Sequence, residues 1–232
     1  MESETKQHVA EWARELEGQD PDAIIRFAVE RFGNKLAVAT QFGMDGCSLV
    51  HRVSRIAKST YIFTIDTGLL FHETYELADR LERELQVRIA RVKPKSSVAE
   101  QAVAHGPNLW ERDPDLCCTL RKVHPMLTAL EGRSAWVTAI RKSQSHTRAD
   151  TEVVQWDEKF AMVKFCPLVH QSEADIEAYV KEQQVPTNPL RTLGYASIGC
   201  MTCTRPTKPG EDPRAGRWWR TEKTECGLHT KK

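Results

Sequence analysis

Apolar positions recur at helical spacing through residues 5–32, with Val9, Trp12, Ala13 and Leu16 in one run and Ile24, Phe27, Ala28 and Phe32 in the next. Asp20-Pro21 separates the runs, a capping carboxylate followed by a residue suited to the first helical turn. The pattern then changes to short apolar runs bounded by turn residues. Residues 35–39 follow Gly33-Asn34 and predict a buried strand; the loop Thr40-Gln-Phe-Gly-Met-Asp-Gly46 comes next, with a helix expected from near Cys47. Residues 61–65 predict a second strand ending in Asp66-Thr67-Gly68, residues 73–85 an amphipathic helix, and residues 87–92 a third strand. A fourth strand at 135–138 ends in the polar loop 141–148. Further strands are expected at 152–155 and 161–165, and a helix from Ser172 to Gln183. Beyond Pro186 periodicity fades, so residues 1–203 read as a single domain and residues 204–232 as a mobile tail.

Strands alternating with helices predict an α/β fold with a mainly parallel, doubly wound sheet. Such sheets bind ligands beyond the carboxyl ends of their strands. The loops at 40–46, 66–68 and 141–148 all follow strands and are expected on one rim. A glycine-containing loop between a strand and a helix N-terminus is suited to an anion, because free N–H groups face it.

A chain of 232 residues with 40% hydrophobic and 28% charged content can bury a sizeable core without staples. The net charge of +1 gives no global field toward nucleic acid or membrane, so neither is expected as a partner. No apolar run has the length of a membrane span, and the charged start Met1-Glu-Ser-Glu-Thr-Lys6 lacks a signal-peptide core. The expectation is a cytoplasmic protein, with self-association left open, whose seven cysteines stay reduced and serve as ligands or reactive thiols.

Four of those cysteines form two pairs, Cys117-Cys118 and Cys200-Met-Thr-Cys203. Four thiolates suit zinc or an iron–sulfur cluster. Neighbouring residues on a helix diverge by about 100°. If Cys117 and Cys118 open a helix, two separate irons of a cubane fit them more readily than one small ion. Lys122 would then lie one turn on, a cation beside an anionic cluster. Cys47 and Cys166 stand in apolar surroundings and read as small core residues. Cys226 stands in Lys223-Thr-Glu-Cys-Gly-Leu-His229, where no periodicity suggests packing and Lys223 and His229 would favour a thiolate.

The vicinal pair, the Cys-x-x-Cys, the strand-end Ile65-Asp-Thr-Gly68 and the Glu-Cys-Gly-Leu-His run together resemble the assimilatory adenylyl-sulfate reductases, within the wider group that includes the phosphoadenylyl-sulfate reductases. The resemblance covers residues 36–229. It implies a fold like that of the adenine nucleotide alpha hydrolases with a modified pyrophosphatase loop. It implies reduction of adenylyl sulfate to sulfite and AMP with thioredoxin as donor, through an S-sulfocysteine on the nucleophile Cys226. It implies a [4Fe–4S] cluster on Cys117, Cys118, Cys200 and Cys203. It implies substrate contacts from Lys122, Arg148, Arg214 and Arg217, and Arg141, Asp66 and Gly68 are added as candidates because they end strands at the rim. A turn in which Gly68 supplies a positive φ explains Asp66-Thr67-Gly68 equally well. The chain departs from the family in its loop Thr40-Gln-Phe-Gly-Met-Asp-Gly46 and in Thr138-Ala-Ile-Arg141-Lys142. Phosphoadenylyl-sulfate reduction is the nearest rival; a zinc-bearing pyrophosphatase-loop or nucleic-acid-binding protein is the rival of another class.

Overall fold

The short apolar runs fold as strands, and their period-two alternation sorts the side chains onto two faces of one sheet. The computed structural model describes the backbone of residues 2–229 and the side chains of residues 5–229. Helices α1 (Glu2–Leu16) and α2 (Pro21–Phe32) lead into β1 (Leu36–Ala39), followed by α3 (Met44–Ile56), β2 (Tyr61–Ile65), α4 (His72–Leu85) and β3 (Ile89–Val92). The short helices α5 (Val98–His105), α6 (Leu109–Arg112) and α7 (Pro114–Cys118) then run through a π-turn at Thr119–Val123 into α8 (His124–Leu130). Strands β4 (Ala135–Val137), β5 (Val154–Asp157) and β6 (Met162–Phe165) and helix α9 (Glu173–Glu182) follow.

Among the described residues the sheet has six strands in the order β3-β2-β1-β4-β6-β5, parallel throughout except for β5 against β6. The chain works outward from β1 to β3 and then jumps back to place β4 on the other side of β1. The fold is therefore the mainly parallel, doubly wound α/β sheet that the sequence pattern predicts.

Leu36 and Val38 of β1, Ile62 of β2, Ile89 of β3, Val137 of β4 and Phe165 of β6 face a core shared with α1, α2, α3, α4 and α9. Ala37, Phe63, Ile65, Trp136 and Met162 face the opposite side, covered by Met126, Ala129 and Leu130 of α8 and by Leu228 from the C-terminal segment. Each such large apolar side chain contributes roughly 1.5–3 kcal/mol on burial. Helix starts are fixed by side-chain caps: Asp20 accepts from Asp22 N at 2.8 Å, and Ser172 and Asp175 form a reciprocal capping box. Losing such a cap costs about 1 kcal/mol.

Two boundaries differ from the sequence expectation. Helix α3 starts at Met44, earlier than Cys47, because Gly43 takes the extended N-cap conformation and its carbonyl accepts from Cys47 N at 2.9 Å. Cys117 and Cys118 close the short helix α7 rather than opening one, and the π-turn that follows carries Lys122.

The segment expected to be a mobile tail lies packed against the body over its described part, residues 204–229; residues 230–232 lie outside the described residues. Thr204 bridges Arg217, Arg205 N donates to Gly216 O at 2.9 Å, and Trp218 and Leu228 are buried. Cys226 packs against the second core, so a packing role that periodicity did not reveal is present.

Both sheet edges are screened. Helix α1 lies along β5, where Lys6 pairs with Glu158 at 3.2 Å and sits 5.1 Å from the Trp156 ring. At the other edge the N–H of Ile89 donates to Glu82 Oε1 at 2.8 Å, and Arg91 pairs with Glu82 at 2.8 Å and with Asp79.

Candidate active site

A cavity of about 380 Å³ opens beyond the carboxyl ends of β1 and β4, where the strand order reverses. One wall is the loop from Ala39 to the start of α3, another is the turn after β4, and the C-terminal segment closes the third. The glycine at position 46 is required by the first wall, since a Cβ there would lie 2.8 Å from Thr40 Oγ1.

Lys122, Arg141, Arg148, Arg214, Arg217 and Cys226, the cations and thiol singled out from the sequence, all line this cavity. Their electrostatic states differ. Arg141 Nε donates to Asp45 Oδ1 at 2.5 Å, and Gln144 Nε2 donates to the other oxygen at 3.0 Å. Arg148 grips Glu225 with two parallel bonds, Nε to Oε1 at 2.9 Å and Nη2 to Oε2 at 3.0 Å. Arg214 Nη2 lies 3.2 Å from the same carboxylate and donates to Thr224 O at 2.8 Å. Burial pushes the Glu225 carboxyl up, but the bond from Arg148 and the charges of both arginines win and hold it below the usual range.

Lys122 and Arg217 are left without a carboxylate partner among the described residues. Lys122 is buried with its ammonium 5.6 Å from the Trp218 ring, and Arg217 lies 4.5 Å over the same ring. The Arg217 guanidinium makes long hydrogen-bond contacts to Ser197 Oγ and Ile198 O, and among the described residues its Nε is sealed without a partner. Burial pulls Lys122 down, yet the sulfurs of Cys200, Cys226 and Cys118 outweigh it and hold the ammonium above its ordinary value. These two cations are placed to bind an anion near Cys226, which is half-buried and lines the same cavity.

Behind Lys122 the cysteines of the two pairs are free thiols within electrostatic reach of one another. Burial pushes Cys117 up to about 12, with Cys118, Cys200 and Cys203 adding to the shift. Burial also raises Cys118, opposed by Lys122. Among the described residues no three His, Cys, Asp or Glu side chains are grouped at single-ion spacing. The surroundings suit a sulfur-rich centre that accepts hydrogen bonds and carries negative charge. Thr67 Oγ1 lies 3.4 Å from Cys200 Sγ, and Gln101 Nε2 lies 3.9 Å from Cys117 Sγ. Arg121 is buried and donates to Thr67 O at 2.5 Å and to Gln101 Oε1 at 3.1 Å, tying both groups together.

Asp66 and Gly68 do not line the cavity. Asp66 Oδ1 accepts from Gly68 N at 3.0 Å and from the Tyr75 hydroxyl at 2.6 Å, and Gly68 turns the chain with φ +69°. Leu69 O then accepts from Met201 N at 2.7 Å, so the turn after β2 holds the second cysteine pair rather than the cavity rim. Sequence reasoning missed Asp45, Glu225, Arg121 and Gln101. Glu225 was signalled only by its place beside Cys226, and Gln101 by nothing, since it reaches Cys117 across the fold.

Comparison with known proteins places the chain in a family. The family described as "Phosphoadenosine phosphosulfate reductase domain" matches residues 35–206. A protein from Streptomyces coelicolor named adenosine 5'-phosphosulfate reductase is 46% identical over 216 residues, covering 93% of this chain and 91% of the relative. A protein of the same name from Halalkalibacterium halodurans is 41% identical and covers 99% of this chain and 100% of the relative. The crystal structure of a phosphoadenylyl-sulfate reductase from Candida auris, in a phosphate complex, superposes with a TM-score of 0.77 at 33% identity, covering 86% of this chain and 97% of that one. The FMN adenylyltransferase of Candida glabrata shares the fold alone, with a TM-score of 0.58 at 14% identity over 86% of this chain and 68% of its own. The chain belongs to the phosphoadenosine phosphosulfate reductase domain family.

Proposed function

We propose that this chain is an oxidoreductase that reduces adenylyl sulfate to sulfite and AMP in assimilatory sulfate reduction. The observation that carries the reading is one cavity holding a half-buried thiol, Cys226, with two cations, Lys122 and Arg217, that have no carboxylate partner among the described residues, in a chain closely similar to proteins named for this reaction. The thiolate of Cys226 attacks the sulfur of the substrate's sulfate group. The bond from that sulfur to the bridging oxygen breaks, AMP leaves with the electron pair, and Cys226 carries an SO₃⁻ group. Lys122 and Arg217 hold the sulfate oxygens and the phosphate as charge moves onto the leaving group, a task for fixed cations in a water-poor site. One thiolate of thioredoxin then attacks Cys226 Sγ and releases sulfite, and its second thiol resolves the mixed disulfide and restores the Cys226 thiol. Thioredoxin is too large for a cavity of about 380 Å³, so the segment after residue 203 swings out between the two steps. A reducing compartment, the cytoplasm, suits a donor of this kind.

We assign a [4Fe–4S] cluster to Cys117, Cys118, Cys200 and Cys203. The donor set and the flanking Lys122, Arg121, Gln101 and Thr67 support it. When bound, it supplies a fixed anionic centre behind Lys122.

Incubation with adenylyl sulfate and no reductant tests the reaction. The expected result is one AMP released per chain and a mass gain of one SO₃ on the peptide of Cys226, with neither from Cys226→Ser. Undiminished turnover by Cys226→Ser would sink the mechanism. The ratio of kcat/KM for adenylyl sulfate and phosphoadenylyl sulfate decides between the two substrates.

A further inference from the structure

A buried carboxylate in a site for a doubly anionic substrate repels what the site must bind. Glu225 nevertheless lies on the cavity wall, one residue before Cys226, and is buried. Its two oxygens take the Nε and Nη2 of Arg148 in parallel, and Thr147 Oγ1 adds a third bond at 3.3 Å. The remaining edge of Arg148 donates to Gln144. Each nitrogen of the Arg148 fork thus spends one N–H on Glu225 or Gln144, and the face it turns to Glu225 is committed to the segment. The fastening continues on both sides of the nucleophile. Arg214 donates to Thr224 O at 2.8 Å, Lys159 Nζ donates to Gly227 O at 2.6 Å, and Lys223 pairs with Asp115.

Cys226 belongs to no helix or strand. Its position is set by these contacts and by the packing of Leu228. Among them the Glu225–Arg148 pair has the most directional geometry, since a bidentate guanidinium–carboxylate pair fixes a plane as well as a distance. We propose that Glu225 is the positioning residue for Cys226: its carboxylate latches the C-terminal segment onto Arg148 and Arg214, and this contact sets where the thiol meets substrate. The inference rests on Cys226 being the nucleophile. It gives Arg148 the task of holding the segment, while two of its five N–H groups and its place on the cavity wall stay open to a substrate oxygen. A misplacement of about 1 Å in a reacting group can cost on the order of 100-fold in rate, so a latch of this precision matters to the chemistry.

Glu225→Gln keeps the shape and removes the charge. The first readout needs no substrate: the rate at which iodoacetamide alkylates Cys226 in the full chain, followed by peptide mapping. It should rise about tenfold, the factor that ~1.4 kcal/mol of weakened docking represents. Arg148→Gln should give a rise no larger than this, since Arg214 still pairs with Glu225, and the double variant no increase beyond Glu225→Gln, because Arg148 holds the segment through that carboxylate. The second readout is single-turnover AMP release. Its maximal rate should fall about tenfold in Glu225→Gln while the half-saturating concentration of adenylyl sulfate changes less than about threefold, a split expected of positioning rather than binding. Unchanged alkylation with tighter substrate binding would overturn the latch and make Glu225 a competitor for the substrate's cations. Unchanged values in both readouts would overturn it as well. If alkylation shifts as expected but the unaltered protein releases no AMP, the latch stands and the assigned reaction falls.

Discussion

Asp45 at the start of α3 and Arg141 after β4 meet in an ion pair of 2.5 Å across the point where the strand order reverses. The pair is mostly buried and joins the two loops that wall the cavity. Removing one partner strands the other charge away from water, which costs more than the intact pair contributes. Asp45→Ala and Arg141→Ala should each lower stability, and a double-mutant cycle by urea unfolding should return a coupling of roughly 1–3 kcal/mol. Additive effects would show that the pair does not join the walls.

Gly199 touches Arg217 so closely that a Cβ would lie 2.1 Å from Nη2. The obstruction is the end of a flexible side chain, so Gly199→Ala should fold with little loss of stability while driving the guanidinium from its place. Substrate affinity should fall about tenfold, equivalent to ~1.4 kcal/mol. Equilibrium binding of adenylyl sulfate to a Cys226→Ser background measures this without turnover, and unaltered affinity would remove Arg217 from the anion site.

Iron and acid-labile sulfide should be present in anaerobically purified protein, and Cys200→Ser should lose both, because iron–sulfur sites are held by thiolates. Cys47→Ser and Cys166→Ser should retain them, since these two thiols lie fully buried in the first core, away from the paired cysteines. Zinc at one per chain without sulfide would replace the cluster assignment.

His229 stacks on Trp136 at 5.6 Å and 9°, with its Nδ1 sealed and unpartnered among the described residues. Burial holds its imidazole well below the ordinary value, and Lys164, Arg148 and Arg214 push it the same way. The folded state therefore keeps it neutral while the unfolded chain takes up a proton below about pH 6.5. In that window the unfolded state binds more protons, so stability rises with pH and is lost as pH falls. His229→Phe preserves the stacking and should flatten the slope of unfolding free energy between about pH 6.5 and 5. An unchanged slope would mean that another group carries it.

Strands were legible where a short apolar run stood between turn residues, as at Tyr61–Ile65, whose limits match the sequence reading. The cations were legible because they lie near the cysteine motifs or at the end of a strand. Their partners were not. Asp45 and Arg141 stand 96 positions apart, and Arg148 and Glu225 stand 77 apart, so nothing local marks them as pairs. Asp66 was misplaced because a strand-end carboxylate can face a cavity or cap its own turn, and only Tyr75 on α4 decides for the turn. The packing of Leu228 was hidden for a different reason: a single apolar residue has no period, and its burial depends on the space left beside α8 on the second face.

The screened edges of the sheet bear on how the protein behaves in company. An open strand is a template for another chain's backbone, and short parallel strands form late enough in folding to leave such templates exposed. Here α1 covers β5, while on β3 the Ile89 amide is already engaged by Glu82 and a charged Arg91 stands on the rim. A sheet so guarded offers a second chain little open backbone to pair with, which works against strand-by-strand growth into a fibril.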